Sequence, residues 1–374
     1  MKSGYKRLGD YIQLVDERNR NLEVETLLGV SIRKVLMPSI ANTIGTDMST
    51  YKIIRKNQFA YGTVTSRNGD KISIALLKEF DKALVSQIYL VFEVIDENLV
   101  LPDYLMMWFR RPEFDRYARF KSHGSARETF EWAEMLETEL PIPSIEKQKE
   151  LIEEYEAIED RIQLNKKLCA TLEETAQTIY KHWFEDFGDF EDLGKHVDFG
   201  PAVKIIGEKS HKFVEMTNVS ETSLNVKKVE LKNYSSGAKF NSNDTLLARI
   251  SPCLQNGKTA FVNFLNENEV GFGSTEFIVL RAKNKISPYW VYCLAKDEKF
   301  REHAISSMIG STGRERVHSK YLEIFKIPKI DYSIMKKFDE EVKYIFIKVK
   351  NLSILSQKLE ELKSLLLGKM AVEG

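Results

Sequence analysis

The sequence predicts an α+β protein with two pseudo-symmetric globular domains separated by a long antiparallel two-helix coiled coil. Three observations predict this fold class: two long amphipathic stretches with heptad spacing, a strand-rich block before each of them, and short sequence pairs that recur about 185 positions apart. The predicted segments are a first globular domain at 1–143, a first long helix at 144–188, a second globular domain at 189–332 and a second long helix at 333–374.

Strands dominate the first block. The stretches 51–65, 71–77 and 84–94 are rich in Ile, Val, Phe and Tyr, and the Arg-Asn-Gly-Asp sequence at 67–70 is a turn signal between the first two. A helix then opens at Pro102, because proline is well tolerated in a first helical turn. Its aromatic side chains are most simply core residues, although such side chains also stack on nucleic-acid bases. The block is therefore predicted to be mixed sheet and helix.

The first long helix carries a strict heptad seam, since its apolar positions advance in alternating steps of four and three. Ser144 is placed to cap its start, and Gly188 can take the left-handed conformation at its end. About 40 residues at ~1.5 Å each make a rod of ~60 Å, which needs a partner helix. Asn165, within the seam, is interpreted as a residue that fixes the register rather than as a ligand. The seam consists of Leu151, Tyr155, Ile158, Ile162, Asn165, Cys169, Leu172, Ala176, Ile179 and Trp183.

The second block and helix repeat this plan. Strand-like stretches at 241–250, 259–265 and 272–282 precede a helix that opens at Pro288. The second long helix has a seam with two consecutive steps of three, which predicts a local stammer after Val349. Its seam consists of Phe338, Val342, Ile345, Val349, Leu352, Leu355, Leu359, Leu362 and Leu366. The off-seam residues Phe346, Ile347, Ile354, Leu365 and Leu367 widen the apolar face, so we expect more than one neighbour.

Internal duplication fixes the expected arrangement. If the first helix carries the chain ~60 Å from the first block, the second helix has to return in order to pair with it. The helices are then antiparallel, with one block at each end. The recurring pairs are Leu8-Gly9 with Leu193-Gly194, Pro102 with Pro288, Phe114 with Phe300, Gly124-Ser125 with Gly310-Ser311, and Ile142-Pro143 with Ile327-Pro328.

Composition limits the class of protein. Of 374 residues, 55 are Lys or Arg and 55 are Asp or Glu, so any contact with DNA has to use local basic patches. The three cysteines form no C-x-x-C pair, which argues against a zinc site or a disulfide framework and suits a reducing compartment. No segment has the pattern of a signal peptide or a membrane span. We therefore expect a cytoplasmic protein with no membrane partner and no bound metal.

Several loop segments carry the residue types that read DNA. Arg, Lys, Asn and Gln can form hydrogen bonds with the edges of bases, while hydroxyl and basic groups bind phosphates. In the first block the candidates are Arg33, Lys34, Tyr61, Ser66, Arg67, Asn68, Lys121, Ser125 and Arg127. In the second block they are Arg249, Ser251, Gln255, Asn256, Lys258, Ser311, Thr312, Arg314 and Arg316. Any one segment is equally consistent with a solvated surface loop, but their recurrence at matching places in both halves favours DNA binding.

The region around the first helix resembles the specificity subunit of type I restriction-modification systems. The resemblance rests on Leu-Pro-Ile-Pro-Ser-Ile-Glu-Lys-Gln-Lys at 140–149, on Ile-Glu-Asp-Arg-Ile-Gln-Leu-Asn-Lys-Lys-Leu at 158–168, and on Trp-Phe-x-x-Phe at 183–187. The Leu-Gly openings and the Gly-Ser segments also have family-like places, so the resemblance extends over essentially the whole chain. The second repeat departs from the pattern, because 327–330 lacks the second proline and no glutamine matches Gln148.

The resemblance implies two target-recognition domains that each read one part of a split DNA sequence, with the coiled coil as a ruler. It also implies two methyltransferase subunits docked on the rod and, in the full complex, motor-nuclease subunits. S-adenosylmethionine, ATP and Mg are then expected in those partners, with no cofactor on this chain. The residues assigned to subunit docking on this basis are Gln148, Tyr155, Phe184, Phe346 and Ile347.

No catalytic residue is predicted. The Asn/Asp-Pro-Pro-aromatic loop typical of adenine methyltransferases is absent, because the nine prolines include no adjacent pair. The Asn-Gly-Lys-Thr sequence at 256–259 imitates a phosphate loop, but Pro252 stands where that loop requires glycine. Gly271-Phe272-Gly273 and Glu230-Leu231-Lys232 are too short to indicate a cofactor site or a nuclease. We expect a non-catalytic subunit.

Two alternatives remain at this stage. The same architecture suits a coiled-coil scaffold that presents two protein-binding heads, and the neutral net charge favours it slightly. The chain also suits the specificity subunit of a related modification-only or phage-defence system. A salt-dependent DNA-binding titration separates the scaffold from the DNA reader.

Overall fold

The computed structural model describes residues 4–40, 45–66, 68–69, 71–124, 127–184, 188–205, 210–311 and 313–371. It divides into two units, one formed by Met1–Arg161 with Lys358–Gly374 and the other by Ile162–Gln357. The division cuts both long helices, whereas the sequence placed its boundaries at the helix ends. We call the globular part of unit 1, up to residue 143, the first head, and that of unit 2, from 188 to 331, the second head.

The first head consists of short strands and three helices. The strands are β1 Tyr5–Arg7, β2 Ile12–Val15, β3 Leu27–Val30, β4 Leu36–Pro38, β5 Lys52–Arg55, β6 Phe59–Gly62, β7 Ser73–Leu76, β8 Lys82–Val85, β9 Leu90–Val94 and β10 Glu139–Pro141. The helices are α1 Pro102–Arg110, α2 Pro112–Lys121 and α3 Trp132–Leu136, and the long helix α4, Ile145–Phe184, follows them. The predicted stretch 51–65 holds two strands because the chain turns at Asn57, which has a φ of 68°.

The second head repeats these elements. Its strands are β11 Phe190–Asp192, β12 Val197–Phe199, β13 His211–Val214, β14 Glu230–Lys232, β15 Ala238–Asn241, β16 Thr245–Ala248, β17 Thr259–Phe261, β18 Val270–Gly273, β19 Phe277–Ala282 and β20 Lys326–Pro328. Its helices are α5 Pro288–Lys296, α6 Glu298–Ser306 and α7 Ser319–Glu323, and the long helix α8, Tyr332–Lys369, follows them. The helices that open at Pro102 and Pro288 are confirmed.

Strand order confirms the duplication. The first head has sheets ordered β2-β9-β6-β7 and β4-β3-β8-β5, and the second has β12-β19-β16-β17 and β14-β13-β18-β15. In each, one pairing is parallel, between β3 and β8 and between β13 and β18. A two-stranded ribbon, β1 with β10 or β11 with β20, joins the start of the head to its end. The predicted fold class, two sheet-rich domains with long paired helices, is confirmed.

The Leu-Gly pairs have a packing role. Leu8 and Leu193 are fully buried. A Cβ on Gly9 would lie 3.0 Å from Cβ of Leu136, and one on Gly194 would lie 3.1 Å from Cβ of Glu323. Glycine therefore lets the opening turn approach α3 or α7 closely.

Alternation along the central strands builds two cores in each head. In β6, Phe59 and Tyr61 face the helices α1 and α2, while Ala60 faces the other sheet. In the second head, Leu247 faces the helices and Leu246 faces the other sheet. This period-two pattern places one sheet between a helical layer and a second sheet.

Within each unit, α4 and α8 pack antiparallel. In unit 1, Leu151 and Tyr155 of α4 share a core with Leu366 of α8, and Glu159 pairs with Lys363 at 2.7 Å. α8 therefore runs against α4 there, which is the predicted direction.

Unit 2 shows the same direction. Nδ2 of Asn165 donates to Oγ of Ser356 at 3.2 Å, and the rings of Phe184 and Phe338 lie 5.3 Å apart. Asn165 is buried and holds a cross-helix hydrogen bond, in keeping with a register-fixing role.

The predicted stammer in α8 is wrong. Leu355 and Leu362 are exposed, at 37% and 50%, so they do not belong to the seam. Ser356 and Lys363 take those places, because they bind Asn165 and Glu159 on the facing helix. The seam therefore keeps regular steps of three and four, with polar pairs at two positions. Of the off-seam residues, Phe346 and Leu367 are buried, whereas Ile347, Ile354 and Leu365 are exposed.

In the part of the chain that the structure describes, no helix combines the length and the apolar character needed to cross a membrane.

Candidate nucleic-acid interface

Two of the predicted loops of the first head are joined side by side. Val64 and His123 each form an antiparallel bridge with Thr129. Oγ1 of Thr65 donates to Oγ of Ser122 at 3.0 Å. Gly124 has a φ of 132°, and a Cβ there would collide with the carbonyl oxygen of Arg127. The described residues of the segments 61–71 and 121–127 thus form one surface.

The third loop, 31–34, is fixed to the same surface by a buried ion pair. Nζ of Lys34 lies 2.7 Å from Oδ1 of Asp115 on α2, and both side chains are almost fully shielded. Lys34 also donates to the carbonyl oxygen of Phe109. Asp115 accepts a hydrogen bond from the backbone N–H of Ile72 at 3.1 Å, which ties the start of β7 to α2. Burial lowers the pKa of Lys34, and the carboxylate of Asp115 opposes that shift.

The predicted residues of the first head divide by exposure. Arg33, Ser66 and Arg127 are exposed. Two others are engaged: Asn68 donates to the carbonyl oxygen of Val64 at 2.9 Å, and Lys121 pairs with Glu134 at 3.4 Å.

Lys34 and Tyr61 have side chains that are buried in the first head. Tyr61 is fully buried, and its hydroxyl donates to the carbonyl oxygen of Phe130. Neither Lys34 nor Tyr61 can reach a base from this position, so we leave both out of the proposed surface. Arg67 and Ser125 lie outside the described residues.

The second head joins its loops in the same way. Ile250 and Ile309 each bridge to Arg316, as Val64 and His123 each bridge to Thr129. Gly310 has a φ of 144° and occupies the place of Gly124. The predicted segment 249–258 and the described residues of 310–316 are thus brought together by the same backbone frame.

A half-exposed ion pair supports this surface. Nε and Nη2 of Arg316 donate to the two oxygens of Glu276 at 2.7–3.1 Å. These hydrogen bonds are the main cause of a lowered pKa of Glu276, and the charge of Arg249 contributes to it. Nε of Arg249 is buried and has no hydrogen-bond partner among the described residues.

The other predicted residues of the second head differ in how far they are engaged. Gln255 is exposed and donates to Oγ of Ser251 at 3.2 Å. Asn256 is exposed and donates to Oε1 of Glu221 at 3.2 Å, and Nζ of Lys258 donates to the carbonyl oxygen of Met216 at 3.2 Å. Ser311 and Arg314 are exposed, and Thr312 lies outside the described residues.

Most residues assigned to subunit docking are inside their own unit. Gln148 is fully buried: its Oε1 accepts from the N–H of Leu101, and its Nε2 donates to the carbonyl oxygens of Leu99 and Pro143, all at 2.9 Å. Gln148 therefore fastens the first turns of α4 to the first head.

The aromatic docking candidates also pack internally. Tyr155 is buried and accepts from Nη1 of Arg110 at 3.2 Å. Phe184 packs on Trp290 and Phe338, and Phe346 packs between Phe261, Tyr289 and Tyr292. Only Ile347 of the five is exposed, at 42%.

Sequence reasoning missed the acids that organise these surfaces. Asp115 and Glu276 are ordinary carboxylates in the sequence, and their partners lie 81 and 40 positions away. A weak signal exists for Asp115, since it follows Phe114 and precedes Ala118 on the apolar face of α2. An acid on such a face needs a partner.

Exposed apolar residues on the long helices were partly foreseen. In unit 2, Tyr344, Ile347 and Ile354 on α8 are 72%, 42% and 41% exposed. In unit 1, Leu362 and Leu365 on α8 are 50% and 70% exposed. Within each unit, steps of three or seven place these residues on one side of the helix, away from its seam.

The described residues contain no group of three or more His, Cys, Asp or Glu side chains that could hold a metal ion. Cys169, Cys253 and Cys293 are free thiols.

Comparison with known proteins identifies relatives of this arrangement. No protein-family model matches the chain. A type I restriction enzyme HindI specificity subunit from Haemophilus influenzae is 29% identical over 158 residues, which is 41% of this chain and 33% of that protein. The MjaIX specificity subunit from Methanocaldococcus jannaschii is 28% identical over 123 residues, which is 31% of this chain and 28% of that protein. The matches thus span about a third of the length of these relatives.

The fold agrees along the whole chain. The crystal structure of a type I restriction-modification system S subunit from M. genitalium matches with a TM-score of 0.60, covering 98% of this chain and 95% of that one at 11% identity. This chain resembles type I specificity subunits in both sequence and fold. The specificity-subunit fold therefore accounts for the duplicated heads and for the long helices that pack antiparallel within each unit.

Proposed function

We propose that this chain is the DNA-recognition subunit of a type I restriction-modification complex and that each head reads one half of a bipartite DNA target. What supports the proposal most is repetition at the loops. Both heads join two loops through equivalent bridges and carry exposed arginines there, Arg127 in the first head and Arg314 in the second. Loops on a rigid sheet frame are the usual carriers of such recognition.

The proposed contacts follow from exposure. In the first head they are Arg33, Ser66 and Arg127, with Arg67 and Ser125 retained as predictions. In the second head they are Gln255, Asn256, Ser311 and Arg314. The half-buried Arg249 and Thr312 are retained as predictions. Arginine and the two amides can bind bases in a bidentate way, whereas the hydroxyls suit phosphates.

The proposed role in the complex is non-catalytic. We propose that methyltransferase subunits, which would supply S-adenosylmethionine, dock on the exposed apolar side of the helices that includes Tyr344 and Ile347. Motor-nuclease subunits would supply the ATP and Mg chemistry of the full complex in the cytoplasm. The fit is chemical: exposed apolar rows on a helix are typical of sites covered by a partner.

Methylation profiling tests this proposal directly. Genomic DNA from cells with the chain and its methyltransferase partner should show adenine methylation in a two-part motif, and cells lacking the chain should not. The purified chain alone should transfer no methyl group. Robust methyl transfer by the isolated chain, or methylation independent of it, would contradict the proposal.

DNA binding by the purified chain tests the same proposal against a protein scaffold. The affinity of the chain for the two-part motif found by methylation profiling should fall steeply as the salt concentration rises, because phosphate contacts release counterions. If DNA binding depended on neither the sequence nor the salt concentration, the result would favour a coiled-coil scaffold with two protein-binding heads.

A further inference from the structure

A carboxylate on α4 binds two elements of the second head. Oε1 of Glu173 accepts from Oγ of Ser223 at 3.1 Å. Oε2 accepts from the backbone N–H of Leu224 at 2.8 Å and from the hydroxyl of Tyr292 at 3.4 Å. One side chain of the long helix thus holds both the segment 220–225 and the helix α5.

The segment 220–225 leads directly to a recognition loop. Glu221 accepts from Nδ2 of Asn256 at 3.2 Å through its side chain, and from Nζ of Lys296 at 2.8 Å through its carbonyl oxygen. The same ammonium donates to the carbonyl oxygen of Gly257 at 3.2 Å. One short segment therefore lies between Glu173 and the loop 251–258.

An attachment through Glu173 costs free energy, because its carboxylate is partly desolvated, and the head is already well packed without it. Desolvation raises its pKa to about 7, against the effect of the hydrogen bonds from Leu224 and Ser223. The aromatic cluster around Phe346 already supplies apolar contact between α8 and the same head. The carboxylate also fixes the orientation of the head relative to α4, because its hydrogen bonds restrict both the angle and the distance of their donors.

We propose that Glu173 is a positioning residue, which fixes the recognition loop 251–258 to α4 and so determines which gap length in the DNA target the second head accepts. This inference rests on the proposed function. A head that is free to tilt on the helix would still recognise its own bases, but it would accept neighbouring gap lengths.

The test compares Glu173→Ala and Glu173→Gln with Glu174→Ala, a control at the next residue of α4, whose side chain is exposed. Binding of the full chain is measured on DNA targets with the native gap and with one base pair more or fewer. We expect Glu173→Ala to reduce the preference for the native gap about tenfold, since each hydrogen bond to a charged group contributes substantially. Discrimination between bases of the second half-site should stay at the wild-type level. The gap preference of Glu173→Gln should lie between that of Glu173→Ala and that of the wild type. Glu174→Ala should have the wild-type gap preference.

Two outcomes would overturn the inference. An unchanged gap preference would show that Glu173 does not set the gap. If Glu173→Ala lost both base discrimination and affinity, Glu173 would be needed only for the folding of the head.

Amide hydrogen exchange keeps the inference testable if the wild-type chain binds no bipartite DNA, which would itself contradict the proposed function. In Glu173→Ala, the backbone amides of residues 254–257 should exchange about tenfold faster than in the Glu174→Ala control. Unchanged exchange there would show that no mechanical link runs from α4 to the loop.

Discussion

The two heads share a backbone frame but support their proposed DNA-contacting loops with different charges. In the first head, Lys34 and Asp115 form an ion pair with side chains only 5% and 10% exposed. In the second head, Arg316 and Glu276 form a pair with side chains 40% and 23% exposed. The bridges and the glycine with positive φ are the same in both heads. Duplication has therefore kept the frame while the side chains that stabilise the loops have changed.

The heads also differ in how α4 holds them. Gln148, an uncharged amide, fastens the first head, and Glu173, a partly buried carboxylate, fastens the second. Met335 occupies the equivalent position in the second repeat: its N–H donates to the carbonyl oxygen of Asp331, as that of Gln148 donates to Ser144, and its side chain is buried. The difference shows that an attachment between head and helix can be built from quite different chemistry on one topology, and each attachment can be broken separately.

The largest expected effect is in the first head. Asp115→Ala should lower the free energy of unfolding of unit 1 by about 3–5 kcal/mol, because it leaves the Lys34 ammonium buried without a counter-ion. Glu276→Ala in the second head should cost about 1 kcal/mol or less, since Arg316 can turn to solvent. Urea unfolding followed by unit-specific hydrogen exchange measures both. Equal losses in the two heads would remove the electrostatic distinction between them.

A pH dependence should be confined to the second head. Desolvation raises the pKa of Glu173 from its ordinary value of 4.5 to about 7, so the folded unit binds more protons than the unfolded chain between these pH values. The free energy of unfolding of unit 2 should therefore fall as the pH rises from about 5 to 8, by up to about 3 kcal/mol. Lys296, Tyr292 and Cys293 face the same carboxylate.

Glu173→Gln is the matched variant for that measurement, and it should flatten the pH profile of unit 2. Hydrogen exchange at amides of unit 1 provides the internal control, because Gln148 does not titrate. A slope that persists in Glu173→Gln would assign the titration to another group.

Specificity should divide between the heads. Arg127→Ala is expected to weaken recognition of one half-site and Arg314→Ala the other, each by about 1–3 kcal/mol at its own position if a bidentate base contact is lost. Binding to a panel of targets with single-base changes in either half-site measures the division. A loss that is uniform across all sequences would instead assign these arginines to phosphates.

The smallest effects should come from the leucines outside the helix seam. Leu362→Gln in unit 1 and Leu355→Gln in unit 2 should each change the free energy of unfolding by about 0.5 kcal/mol or less, because both side chains are exposed. Leu352→Ala, in the buried seam, is the contrast and should cost about 2–5 kcal/mol. A loss of more than 2 kcal/mol in the free energy of unfolding for either exposed leucine would show that it packs in the seam.

The sequence was most informative where periodicity is local. Both long helices and the duplication were predictable, because heptad spacing and recurring Leu-Gly and Gly-Ser pairs need no knowledge of contacts. The second half of the α8 seam was not, since Ser356 and Lys363 are paired with residues 191 and 204 positions away. Apolar periodicity therefore selected the neighbouring leucines, Leu355 and Leu362.

The candidate site was predictable to the level of loops. Matching positions in the two halves indicated which segments come together. The burial of Lys34 was not predictable, because it depends on Asp115, a residue on another element. Sequence position alone could not distinguish a basic residue that faces DNA from one that stabilises the loop.

The most direct test of the account lengthens both helices and reads the DNA target. One heptad inserted after Cys169 and one beside Leu352 keep the seam in phase, since Cys169 lies against Val349 at 3.9 Å. The insertions add ~10 Å to the paired helices, which corresponds to ~3 base pairs of extra gap. They also add a rotation of the duplex of about a quarter to a third of a turn, which should weaken binding. We predict a longer gap with unchanged half-site sequences, or loss of binding. Methylation of the original gap length at normal efficiency would show that the helices do not set the distance between the two heads.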